Sequence, residues 1–294
     1  MTVPATRALR EHWPEYLLEA AGIAIIMLVA AGVTVFAQTL LPSAWPQLSR
    51  RMVEALAIAG TGASLVYSPW GMRSGAHYNP AITLTFFILG RVSLIDAVYY
   101  VASQILGAII GISIAGLLLG SLLRDPPTTW IVTQPGADGV VVALLAEFVV
   151  AFLVMETILV TGALPSLSRF TGAFVAILVF LFISFESPLS GFSMNPARSL
   201  GSAAVSGHWT AFWIYVLAPP LGMLTAVLLK RSLRWAPSSN CAKLVRSSSQ
   251  RCIHCGFTPK PGGEQADPGP RCKARETSDL TRLRGYAATS SENL

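Results

Sequence analysis

Charge is what this chain has least of: 12% of its 294 residues are Asp, Glu, Lys or Arg, where a soluble domain carries about a quarter. The shortage is concentrated. No charged side chain stands between Glu19 and Arg50, between Asp96 and Arg124, between Arg169 and Glu186, or between Arg198 and Lys230. About twenty such residues cross some 30 Å of hydrocarbon as a helix, so a water-soluble globule is excluded. Cysteine is absent before residue 241. No nucleophile is paired with a base, and there is no phosphate loop and no catalytic metal set, so neither an enzyme nor a cofactor is implied. A basic surface interleaved with aromatics is also lacking, which speaks against nucleic acid as a partner. The N-terminus has no basic region, short apolar core and small-residue cleavage site in succession, so the first apolar run is read as a retained helix. With no targeting signal read in the sequence, a bacterial plasma membrane is the expected location.

What is present is apolar, 53% of residues with a positive mean hydropathy. The runs predict an all-α membrane protein with crossings at 15–39, 52–69, 95–122, 140–162, 170–186 and 211–229. An even number of crossings puts both termini on one side. Arg7, Arg10, Arg73, Arg91, Arg169, Lys230, Arg231 and Arg234 fall on that side, against Arg50, Arg51 and Arg124 opposite, so the termini are expected in the cytoplasm. From Lys230 onward twelve basic residues face five acidic ones, a tail attracted to an anionic leaflet. The expected organisation is a short segment 1–14, a membrane domain 15–232 with repeats at about 15–122 and 140–229, and a tail 233–294 rich in Pro, Gly and Ser and read as disordered.

The chain repeats itself. Ser74-Gly-Ala-His-Tyr-Asn-Pro-Ala-Ile-Thr-Leu84 and Ser190-Gly-Phe-Ser-Met-Asn-Pro-Ala-Arg-Ser-Leu200 agree at six positions with an offset of 116. Tyr100-Val101 with Leu106-Gly107 matches Tyr215-Val216 with Leu221-Gly222 at an offset of 115, and Glu19 and Glu147 stand at comparable places in crossings one and four. Each half holds three crossings, an odd number, so the second half lies inverted in the bilayer. The two Asn-Pro-Ala segments are each followed by too few apolar residues to span, and are expected to re-enter from opposite faces and meet near the midplane.

Asn is a favoured helix N-cap, and Pro suits the first helical position, where its missing N–H has no partner to lose. Asn79-Pro80-Ala81 and Asn195-Pro196-Ala197 should therefore each start a short helix. With the oxygens engaged in capping, the two amide NH₂ groups are expected to face the path as donors. Both half-helices aim a partial positive charge at the same place, which repels cations and interrupts a proton wire.

These residues carry a resemblance: the two segments are similar to the signature loops of the aquaporin, or major intrinsic protein, family, over roughly residues 12–232. The resemblance implies four protomers in a homotetramer, each with its own pore. It places a filter arginine at Arg198 and, by gap-free counting, the other filter positions at Phe192, Ile183 and Ala59. It also implies that Glu19 and Glu147 accept backbone N–H groups of the re-entrant loops, with His77 before the first half-helix either a loop support or a pore-lining group. Water-selective relatives have a bulky aromatic and a His where Ala59 and Ile183 stand, which points to glycerol-like solutes. Ser199 in place of an Asp after the arginine, and Ala203 with Phe212-Trp213, resemble the water-channel pattern instead. The reading is a passive channel for water and small uncharged solutes, with glycerol facilitation as the alternative; a secondary transporter and a membrane scaffold are the rivals.

Glu156, nine residues after Glu147, is out of phase with it and expected to face away from the pore. Cys252-Ile-His-Cys255 resembles a zinc knuckle, and four thiolates would complete a tetrahedral site. The second pair, however, is split between Cys241 and Cys272, a spacing rare in zinc ribbons. The four cysteines are therefore read as cytosolic thiols without a metal.

Overall fold

The computed structural model describes residues 4–164, 166–232, 241–245 and 250–256. The helices among them are α1 (Ala5–Val35, continued by a π-turn Phe36–Leu40), α2 (Gln47–Tyr67), α3 (Pro69–Ser74), α4 (Pro80–Ile88), α5 (Leu94–Leu119), α6 (Ser121–Arg124), α7 (Gly139–Ala163), α8 (Thr171–Phe185), α9 (Ser187–Ser190), α10 (Pro196–Ser206) and α11 (Phe212–Ser232). Five of them, α1, α5, α7, α8 and α11, are long and apolar enough to cross a membrane by length and composition, α8 together with the turn before it.

The sixth long helix, α2, begins earlier than its apolar run predicts and includes Arg50, Arg51 and Glu54. Each has a partner in the folded chain. Buried Arg50 donates to the carbonyls of Ala37, Gln38, Leu41 and Pro42, a cation at the carbonyl end of the preceding helix. Arg51 donates to Ser184 O, and Glu54 accepts from Gln38. Helix α1 likewise starts well before the expected boundary, at Ala5.

The halves pack by one rule: α1 lies on α5, α7 on α11, and α2 meets α8 across the centre. Helices without a hydrophobic force between them approach through small residues. A Cβ at Gly107 would collide with the Ala20 carbonyl, and one at Gly222 with the Phe148 carbonyl, so backbones touch at both crossings. Ala20 and Phe148 directly follow Glu19 and Glu147. This close crossing therefore holds each glutamate at a fixed height in its half.

Candidate functional site at the meeting of two half-helices

Asn79 caps α4 by accepting from Ala81 N at 2.8 Å; Asn195 caps α10 by accepting from Ala197 N at 3.0 Å and Arg198 N at 3.4 Å. Pro80 and Pro196 occupy the first helical positions. The amide groups are then shared differently from expectation. Asn79 Nδ2 donates to Met194 O and Asn195 Nδ2 to Tyr78 O, both at 2.8 Å, so one N–H of each amide ties the opposite loop. An amide nitrogen carries two N–H groups, and the second of each remains for a passing acceptor.

The loops before the half-helices share an unusual backbone. Gly75, Ala76 and Tyr78 have positive φ (108°, 57° and 46°), as do Gly191, Phe192 and Met194 (78°, 45° and 55°). For residues other than glycine such conformations cost roughly 1–3 kcal/mol each and persist only when the surroundings impose them. Two buried carboxylates supply the imposition. Glu19 accepts from His77 N, Tyr78 N and the Ser74 hydroxyl at 2.6–3.1 Å. Glu147 accepts from Ser193 N, Met194 N and the Ser190 hydroxyl at 2.6–2.8 Å. Tyr100 and Tyr215 donate to Ser74 O and Ser190 O, each at 2.6 Å.

The sequence marks Tyr100 and Tyr215 only as landmarks of the repeat and does not single out Gln104, which donates to Glu19 at 2.8 Å. The doubled tyrosines are a usable signal. Gln104 is not, because Pro219 stands at the same offset in the second half.

Asn79, Asn195, Ala59, Ile183, Phe192 and Arg198 line one cavity of about 210 Å³. Arg198 Nη1 is buried there with no hydrogen-bond partner among the described residues, a donor left for whatever occupies the cavity. His77 is buried; its Nδ1 meets the Thr83 hydroxyl at 3.1 Å and its Nε2 meets Ala242 O at 2.7 Å. A carbonyl only accepts, so Nε2 carries the proton. Glu156 is not among the lining residues.

Ala242 belongs to the tail, and two stretches of that tail are ordered against the membrane domain, contrary to its composition. Cys241, Ala242, Lys243, Leu244 and Val245 are buried, as are Cys252, Ile253, His254 and Cys255, and Leu244 lines the cavity. The reason is tertiary: Ile253 packs on Tyr16 and Tyr100, and the His254 ring stacks on His77 with centroids 6.0 Å apart. Burial pushes His254 down to about 3, with His77 adding to the effect, so its ring is neutral. Three thiols, of Cys241, Cys252 and Cys255, converge in space despite their irregular spacing; Cys272 lies outside the described residues.

An all-helical membrane protein built as an inverted repeat, with two capped half-helices meeting beside a central cavity, is the class that fold and site define. The major intrinsic protein family model matches residues 8–230, and the chain belongs to that family. It is 33% identical over 186 residues to the NIP4-1 relative of Arabidopsis thaliana and 32% over 196 residues to NIP4-2 of the same plant. These matches cover 63% and 64% of this chain, and 63% and 66% of the relatives. Aquaporin NIP1-1 of Zea mays is 33% identical over 165 residues, 56% of this chain and 57% of that protein. The chain thus matches less than two thirds of the length of these relatives. The X-ray structure of the aquaglyceroporin from Plasmodium falciparum superposes with a TM-score of 0.65 at 18% identity, covering 76% of this chain and 97% of that one, a likeness of fold.

Proposed function

We propose that this chain is a passive channel for water and small uncharged solutes that excludes protons and other ions. The observation carrying the reading is the crossed pair of asparagines: each half-helix presents its positive end, and one free amide N–H, to the same cavity. A water oxygen held by both donors cannot accept from its neighbour, which interrupts proton hopping. Arg198 with its unpartnered Nη1 is the filter cation, opposed by Phe192, Ile183 and Ala59. A cup apolar on three sides and polar on the fourth favours a second permeant class with CH and OH faces, such as glycerol. The relatives bear aquaporin names, which agrees with this reading.

Proteoliposomes in a stopped-flow light-scattering cell test it. Shrinkage in impermeant osmolyte should be fast, with no proton leak and no dependence on an ion gradient; gradient-dependent transport would overturn the proposal. Re-swelling in glycerol measures the second class. Arg198→Val should keep water flux and raise proton or cation leak, and unchanged selectivity would remove the filter assignment. The assembly is read as a homotetramer from the family resemblance, and both termini as cytoplasmic from the Lys and Arg distribution. The named relatives are plant proteins and lend nothing to a bacterial plasma membrane.

A further inference from the structure

The tail thiols are spaced for a metal. Cys241 Sγ lies 3.6 Å from Cys252 Sγ and 3.9 Å from Cys255 Sγ, and all three sulfurs fall within 4.8 Å of one another. A disulfide would need about 2.05 Å. Zinc–sulfur bonds of about 2.3 Å at tetrahedral angles set sulfurs about 3.8 Å apart. Cys252 and Cys255 come from one turn, closed by Gly256 N donating to Cys252 O at 3.0 Å, with Gly256 at φ 75°. Both sulfurs of that turn lie within 4 Å of Cys241 Sγ.

The same stretches sit over one end of the cavity. Leu244 N donates to Gly75 O at 3.1 Å, and Ala242 O accepts from His77. The Lys243 ammonium donates to Met72 O at 2.6 Å and to Arg251 O at 2.7 Å, joining the body to both tail stretches. Arg251 donates to Glu11 O at 2.9 Å and lies 3.6 Å from the buried Glu15 carboxylate, which Arg73 also contacts. Leu244 stands in the cavity lining with Tyr78 and Asn79. Ala242, Leu244, Val245 and Ile253 are few apolar groups to offset the ordering of a dozen residues. A metal joining residue 241 to residues 252 and 255 would remove much of that entropy from the undocked tail.

We propose that Cys241, Cys252 and Cys255 form a thiolate site for a zinc-class ion, and that the loaded site locks the tail across the mouth of the cavity on the His77 side. Binding displaces the three thiol protons to solvent as the thiolates form. The lock rests on the channel reading; the metal site does not.

The test uses the full chain, purified, stripped with chelator and titrated with Co²⁺. Thiolate-to-cobalt charge transfer and tetrahedral d–d bands should appear, saturate at one ion per chain, and vanish on addition of Zn²⁺. Absence of those bands, or their persistence in the Cys241→Ser/Cys252→Ser variant, overturns the site. Cys272→Ser reports whether a fourth thiolate completes it: a blue-shifted but thiolate-containing spectrum supports a three-thiolate core, and total loss of binding overturns the three-thiolate assignment. In proteoliposomes, chelation should speed osmotic shrinkage about tenfold, as expected if the ion holds roughly nine in ten mouths shut. The double variant should shrink fast with or without Zn²⁺. Equal rates for loaded and stripped wild type, both well above bare liposomes, overturn the lock and leave the channel standing. Rates no faster than bare liposomes for every form overturn channel and lock together, while the cobalt spectrum still decides the metal site.

Discussion

Two glutamates show how much a single buried carboxylate can organise. Glu147 takes two backbone N–H groups and a hydroxyl, and Glu19 takes the same set in the other half. Glu147→Gln keeps one acceptor oxygen but sets an NH₂ against loop donors, and should destabilise by about 3 kcal/mol, the range for a broken buried charge-assisted network. Glu19→Gln should behave alike, and thermal unfolding in detergent compares the two; a neutral result for both would deny that these carboxylates hold the loops. Glu186 has a different part. It lies between α8 and α9 with its oxygens buried, and burial, with Glu147 adding, outweighs the nearby Ser190 hydroxyl and lifts it from 4.5 to about 7. A carboxyl raised on folding weakens the native state as pH climbs from the unfolded value through the folded one. Stability should therefore fall between pH 4.5 and 7 and level off above. Glu186→Gln should abolish that fall, leaving the variant more heat-stable than wild type at pH 8 and equal to it at pH 4.

Among the elements, the paired crossings α1 on α5 and α7 on α11 set the geometry that the loops require. Gly222→Ala should lower stability by about 2 kcal/mol, because its methyl meets the Phe148 carbonyl and only a shift of the helix relieves it. At Gly60 an added methyl would meet nothing within 4 Å among the described residues, and Gly60→Ala should be neutral or stabilising by up to about 1 kcal/mol. Equal unfolding temperatures for the two variants would remove the close-crossing argument. The charge-free stretches make most of these helices legible in the sequence, and Asn-Pro-Ala marks both half-helix starts to the residue. Helix α2 is half hidden there, since its first turns carry charges whose partners, such as the carbonyls around Ala37, exist only in the folded chain. Gln104 and the docked tail escape for the same reason: neither has a period or a repeat to announce it, only a tertiary partner.

For the molecule as a whole, inversion of the halves is the property on which the rest depends. If the second half were not inverted, the two half-helices would open to the same side and Asn79 and Asn195 could not reach each other's loops as they do. Inversion also assigns every connecting segment to a side. With the termini inside, the segment between α1 and α2 and the one between α10 and α11 face outside, while that between α7 and α8 faces inside. Ser43, Ser166 and His208 are exposed in those three segments. In a chain whose tail cysteines are replaced by serine the body offers no competing thiol, so single cysteines report cleanly. An impermeant maleimide added to sealed, right-side-out vesicles should label Ser43→Cys and His208→Cys. Ser166→Cys should react only after permeabilisation. The reverse pattern would invert the proposed orientation and leave the fold intact, whereas labelling of Ser43→Cys and Ser166→Cys from one side would contradict the odd number of crossings between them and with it the inverted repeat.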